Sequence, residues 1–170
     1  MQYELEMSLV GELTYYLGLQ VKQMDVSIFI SQSKYAKNIV EKFSMENASH
    51  KRTLEPTHLK LSKDEKGVNM DQSLKRSMVG SLLYLIGSRL DITFIMGVCA
   101  KYQAEPKTSH INQVKRILKY INGTSDYVML YSHGSDSMPM RYCDANWAGS
   151  ADDRKSISIG MFLFRKQSVL

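Results

Sequence analysis

The sequence of 170 residues is 44% hydrophobic and 23% charged, ordinary usage for a globular chain, which argues against a fibrous or intrinsically disordered class. A formal net charge of +5 is compatible with a polyanionic partner without demonstrating one. The thiols Cys99 and Cys143 share no repeated spacing, so neither a disulfide framework nor a zinc site is indicated and a reducing, intracellular compartment, cytoplasmic or nuclear, is expected.

The N-terminal "MQYELEMSLVGELTYY" lacks the basic start and continuous apolar stretch of a signal peptide. "GELTYYLGLQVKQ" and "VSIFIS" are rich in aromatic and β-branched residues, and a turn at Met24 and Asp25 would make them a β-hairpin. From Ser33 onward Tyr35, Ala36, Ile39, Val40 and Phe43 recur at helical spacing, with Ser31 or Ser33 as the expected cap. Residues 47–71 then read as a long polar connection containing Pro56 and Gly67.

Leu74, Met78, Leu82 and Leu85 form an apolar stripe that Val79, Leu83 and Ile86 widen until the second half is apolar almost all round. Such a helix is expected inside a bundle. Asp91 is the expected N-cap of a second helix carrying Ile92, Ile95, Val98 and Cys99, with Pro106 beyond its end. "SLLYLIGSRLDITFIMGVCA" is not a membrane span, because Arg89 and Asp91 at its middle would each cost about 2.5 to 3.5 kcal/mol to insert. A third helix runs from about Thr108 to Asn122, with Ile111, Val114, Leu118 and Ile121 inward and Gly123 as its stop.

After Gly123 the pattern changes to three strand-like runs, "YVMLYS", "MPMRYCDA" and "ISIGMFLF", which are expected to begin a sheet. The fold class is therefore α+β: an N-terminal hairpin over 1–32, a helical region over 33–122 with a linker at about 47–71, and a partial sheet over 127–170.

Five blocks carry a resemblance: "GELTYYLGLQV", "FISQSKYAKNIVEKFSM", "RSMVGSLLYLIGSRLDI", "VKRILKYINGTSDYVMLY" and "YCDANWAGSADDRKS". In this order they resemble the back part of a copia-type retrotransposon Pol polyprotein. The resemblance implies a chain that starts after the polymerase palm carboxylates, passes through the thumb and stops inside the ribonuclease H domain. On this reading the hairpin is a palm-edge, primer-grip-like element, the helices are thumb-like and the last strands are an incomplete ribonuclease H-like sheet. It implies an RNA-directed DNA polymerase and ribonuclease H as the parent enzyme, with no complete active site in this chain alone.

The site residues follow from the same resemblance. Tyr16, Leu17 and Gly18 match an aromatic-Leu-Gly segment at the hairpin that supports the primer end, and Asp144 matches the first catalytic, metal-binding aspartate of the ribonuclease H domain. The intact enzyme would use Mg2+. No cofactor is expected for this chain alone, since two-metal hydrolysis needs several converging oxygen ligands and one aspartate cannot supply them. Asp152 and Asp153, beside glycine, serine and alanine, read as turn residues.

Residues 101–131 carry Lys101, Lys107, Lys115, Arg116 and Lys119 against Glu105 and Asp126, so positive charge favours the helices. In a thumb, Lys115, Arg116 and Lys119 would contact the phosphates of a template–primer duplex or RNA/DNA hybrid weakly and without reading sequence. The remaining Pol polyprotein is the other expected partner, and no membrane is. His50, His58, His110 and His133 have no metal-motif spacing, and neither a G-x-S-x-G nor a Gly-rich phosphate loop occurs.

The chain departs from the family pattern at Leu90, which stands where proline is usual, at Asn146, which replaces a frequent aspartate, and at Ile157 and Ile159, where threonine and glycine are usual. Two alternatives follow: a decayed transposon remnant without a biochemical role, and a metal-dependent nuclease that uses Asp144.

Overall fold

The computed structural model of the protein describes residues 12–54, 62–132, 139–146, 157–164 and 167–169. The architecture is α+β, as expected, but its strands pair differently from the order the sequence suggests. Strands β1 (Tyr15–Tyr16), β2 (Leu19–Met24) and β3 (Ser27–Ser31) make two successive hairpins where one was expected. The expected turn moves by one residue, because Met24 pairs with Ser27 and leaves Asp25 and Val26 as the loop. The other turn splits "GELTYYLGLQVKQ": Tyr16 pairs with Leu19 across Leu17 and Gly18, whose φ angles are 45° and 78°. Two successive positive φ values are what a type I′ hairpin turn requires.

Strand β4 (Val128–Ser132) pairs with β3, Ser31 opposite Val128 and Ser27 opposite Ser132. "YVMLYS" therefore completes the N-terminal hairpins instead of starting a new sheet with the runs that follow it. Strand β7 (Gln167–Val169), which no sequence signal announces, adds to β4, so the antiparallel order is β1-β2-β3-β4-β7. Strands β5 (Pro139–Asn146) and β6 (Ile157–Phe164) form a separate two-stranded sheet. Alternating side chains identify a strand locally, but its partner is chosen by contacts far away in sequence.

The helical core is built by α1 (Ser33–Lys42), α2 (Gln72–Leu85), α3 (Thr93–Ala100) and α4 (Thr108–Gly123). Ala36, Ile39 and Val40 of α1 pack with Met78, Val79, Leu82 and Leu85 of α2, Ile95, Met96 and Cys99 of α3, and Val114, Ile117, Leu118 and Ile121 of α4. The periodic stripes predict most of this core, while Tyr35, Phe43 and Ile86 are only partly buried against it. Leu74 is exposed, and Val98 is only partly buried against the cluster. The second half of α2 is also not apolar-buried all round, because Leu83 and Tyr84 remain exposed. Within the same helix Lys75 is fully buried, its Nζ donating to the Tyr102 carbonyl at 2.6 Å. No helix among the described residues is long and apolar enough to cross a membrane.

Two expected helix ends differ. Neither Ser31 nor Ser33 caps α1: its N-cap is Gln32, whose side chain makes no capping bond. Asp91 does not cap α3, because it lies inside a 3-10 turn over Leu90–Ile92 and its carboxylate is taken by Arg89. Gly123 ends α4, as expected, without adopting a left-handed backbone, and a Cβ there would press on His50 at 3.1 Å. The cap of α2 is instead Asp71, whose Oδ1 accepts the Ser73 N–H at 2.8 Å.

Candidate nucleic-acid interface

The turn at Leu17 and Gly18 is held from outside the sheet. Tyr84 of α2 donates its hydroxyl to the Leu17 carbonyl and packs edge-on against Tyr35, with ring centroids 4.9 Å apart. A Cβ on Gly18 would lie 2.5 Å from the Tyr84 hydroxyl oxygen, so glycine is required there both for its φ and for space. Leu17 has no such latitude, since a left-handed conformation costs a β-carbon-bearing residue about 1 to 2 kcal/mol. Yet its side chain is 71% exposed, and Tyr15 and Tyr16 beside it are each 56% exposed. Tyr16, Leu17 and Gly18 thus sit together at one anchored, outward-facing tip.

The "SRLDI" block has the opposite character. Arg89 is 2% exposed and donates Nε to Asp91 Oδ1 at 2.9 Å, Nη2 to Asp91 Oδ2 at 2.7 Å and to Thr124 Oγ1 at 2.8 Å, and Nη1 to the Thr124 carbonyl at 2.8 Å. Its guanidinium lies 5.4 Å from the Tyr120 ring centroid and 5.0 Å from that of Tyr127. Tyr120 donates to Asp91 Oδ2 at 2.8 Å. Burial alone would raise the Asp91 carboxyl, but the hydrogen bonds and charge of Arg89, with the Tyr120 hydroxyl, outweigh it and hold the group below the ordinary carboxylate value. Burial, followed by the bond to Asp91, pushes the Tyr120 hydroxyl up to about 12. One residue earlier, Ser88 Oγ donates to Gln32 Oε1 at 2.8 Å, and Gln32 Nε2 donates to the Tyr84 carbonyl at 3.3 Å. These residues fasten α1, α2 and the end of α4 to one another.

Lys115, Arg116 and Lys119 lie together on α4, each half-buried. Part of the expected linker is packed against the same helix. Arg116 Nε donates to the Thr53 carbonyl at 3.1 Å and Nη2 to Thr53 Oγ1 at 2.8 Å. Gln113 Nε2 donates to the Leu54 carbonyl at 2.9 Å, and the Lys51 N–H donates to the Lys119 carbonyl at 3.4 Å. Asn122 Nδ2 donates to the carbonyls of Met45 and Glu46 at 3.2 and 3.1 Å. The segment from Met45 to Leu54 therefore runs antiparallel along α4 and is an ordered strap rather than a spacer. The fixed role of Arg116 could not be read from helical periodicity, which marks a face but not a partner.

The other end of α4 carries an open groove of about 820 Å³ lined by Lys63, Asp64, Glu65, Lys66, Lys101 and Tyr102. His110 Nδ1 accepts the Lys107 N–H at 3.0 Å, so its Nε2 is the protonated nitrogen and donates to the Ser62 carbonyl at 2.7 Å. Its ring stacks on Tyr102 with centroids 4.5 Å apart, a structural helix-end role. The charges lining this groove are of both signs, so it lacks the single-sign field that α4 presents further along.

Asp144 lies on β5 opposite Ile159 of β6. Asp152 and Asp153, with His58 and His133, fall outside the described residues. Among the described residues no group of three or more His, Cys, Asp or Glu side chains could hold a metal ion. The three cations and the turn are two separate groups: Tyr84 joins the turn to α2, and Thr53 joins Arg116 to the strap.

No protein-family model and no solved structure matches the chain. Curated proteins do. The chain is 36% identical over 169 residues to the retrovirus-related Pol polyprotein from transposon TNT 1-94 of Nicotiana tabacum, a match covering 94% of this chain and 13% of that protein. It is 33% identical over 149 residues to an uncharacterized mitochondrial protein of Arabidopsis thaliana, covering 86% of this chain and 61% of that protein. It is 31% identical over 142 residues to the retrovirus-related Pol polyprotein from transposon RE2 of Arabidopsis thaliana, covering 84% of this chain and 10% of that protein. The chain spans a small part of the Pol polyproteins it matches. With identities of this size over most of its length, it belongs with the Pol polyproteins of copia-type retrotransposons, of which it corresponds to one segment.

Proposed function

We propose that this Pol segment holds a nucleic-acid duplex, a template–primer or an RNA/DNA hybrid, through its phosphates and without reading sequence. The observation that carries the reading is α4, whose Thr108–Gly123 span contains Lys115, Arg116 and Lys119 and no aspartate or glutamate. Cations on an acid-free helix face suit a phosphate backbone, which rewards charge and position rather than base identity. The exposed Tyr16 and Leu17, with the close backbone approach that Gly18 permits, suit the sugar and base surfaces at a primer end. In this reading the hairpins are the palm edge, the four helices are thumb-like, and β5 with β6 belongs to a ribonuclease H-like sheet.

Asp144 would then be one ligand of a magnesium site. Magnesium clamps the attacking and leaving oxygens of a phosphodiester and needs several oxygen donors in near-octahedral array. A single carboxylate does not provide that array, so the role proposed for this chain is contact rather than cleavage, with the rest of the Pol polyprotein as its partner in chemistry.

Fluorescence anisotropy with a labelled hybrid over a salt series tests the contact. Binding is expected to weaken steeply with salt, and changing Lys115, Arg116 and Lys119 to glutamine should flatten the log–log slope by about 0.9 for each lost phosphate contact on a B-form duplex. Equal slopes for parent and variant would refute it. Hybrid cleavage with Mg2+ is expected at background for both the parent and Asp144→Asn; cleavage lost only in the variant would favour the nuclease reading instead.

A further inference from the structure

We infer that the strap over residues 47–54 forms the second wall of the phosphate-binding face, with Lys51 and Arg52 as contact residues and Arg116 as the positioning residue that sets them there. This rests on the reading of α4 as a duplex-binding face and extends it to a segment whose sequence reads as a linker.

The strap and the helix are in register: His50 lies against Gly123, Lys51 bonds to Lys119, Thr53 to Arg116 and Leu54 to Gln113. Lys51 and Arg52 are exposed, whereas Lys115 and Lys119 are half-buried beside them. Neither 47–54 nor Thr108–Gly123 contains a carboxylate, and Glu46 and Glu55 only flank the strap. From Gln113 to Gly123 the helix rises about 15 Å. That length spans about four phosphates of one strand at roughly 3.4 Å per charge. The cations left free to meet them are Lys51, Arg52, Lys115 and Lys119.

Arg116 is committed differently. Its planar fork grips both the carbonyl and the hydroxyl of Thr53, a geometry that a lysine ammonium cannot reproduce. It therefore acts on a duplex through the strap. No large apolar residue of the strap or of α4 is exposed, which favours a hydrated polyanion over a lipid surface or an apolar peptide.

The test uses the 170-residue chain, a labelled RNA/DNA hybrid and a duplex DNA of equal length over a salt series, with phosphatidylserine/phosphatidylcholine vesicles as the alternative polyanion. The double variant K51Q/R52Q should lower the log–log slope by about 1.8, as should K115Q/K119Q. Arg116→Lys keeps the charge and loses the fork, so its slope should fall toward that of K51Q/R52Q, while circular dichroism reports an intact fold. A parental slope in K51Q/R52Q beside a reduced slope in K115Q/K119Q would overturn this inference and leave the α4 reading standing. A parental slope in Arg116→Lys would overturn the positioning role. Failure of the parent to bind either nucleic acid would overturn both readings, and tighter binding to the vesicles at equal phosphate would overturn the choice of nucleic acid.

Discussion

The Arg89 network and the Leu17–Gly18 turn are both built from blocks that resemble Pol polyproteins, and they use their residues in opposite ways. Arg89 is buried with Asp91, Thr124, Tyr120 and Tyr127 around it, so its charge is matched inside the fold. Leu17 carries a left-handed backbone while presenting its side chain to solvent. A buried, satisfied ion pair fixes how helices meet. A strained, exposed residue adds nothing to the core, and strain of that kind clusters at functional sites.

Removing the guanidinium should give the largest effect. Arg89→Ala leaves Asp91 desolvated without its cation and is expected to cost about 3 to 5 kcal/mol, measured as a fall in the denaturant midpoint. A loss well below 1 kcal/mol would show that the network does not fasten the helices. Gly18→Ala should cost about 1 to 3 kcal/mol, because the new Cβ meets both an unfavourable φ and the Tyr84 hydroxyl. Leu17→Asn works in the other direction: asparagine tolerates this turn better than leucine, and stability should rise by about 1 kcal/mol. A destabilised Leu17→Asn would mean that the leucine side chain contributes packing that its exposure does not suggest.

The smallest effects are those of pH, and both belong to the Arg89 network. Asp91 sits below its ordinary value, so its contribution to stability is present above about pH 4 and is lost as pH falls through that range toward its folded value. Tyr120 is raised to about 12, so its contribution is present below about pH 10 and is lost as pH rises from there through about 12. The acid edge should flatten in Arg89→Ala and the alkaline edge in Tyr120→Phe, and both should persist in Leu17→Asn. Thermal melts across pH read this directly.

The apolar periodicity of α1, α3 and α4 placed most of the core correctly, because a helix stripe is a local pattern that burial simply ratifies. Leu74 and Leu83 escaped that rule: the α2 stripe is wider than the surface that its neighbours cover, and period alone does not say where coverage stops. Lys75 is the converse case, a cation on a buried face whose ammonium donates to the Tyr102 carbonyl just beyond α3. The sheet was legible as strands but not as pairs, since β4 joins β3 across about a hundred intervening residues. The candidate site was legible at Lys115, Arg116, Lys119 and the turn residues as types and positions. That Arg116 grips Thr53 and Tyr84 anchors Leu17 depends on tertiary contacts, for which the local sequence carries no signal.

The most direct measurement is the affinity of Tyr16→Ala/Leu17→Asn for the RNA/DNA hybrid, read beside its unfolding midpoint. If the strained tip is kept for contact with nucleic acid, affinity should fall at least about fivefold, roughly 1 kcal/mol of lost stacking, while the midpoint stays level or rises. Unchanged affinity in a fully folded variant would contradict that assignment.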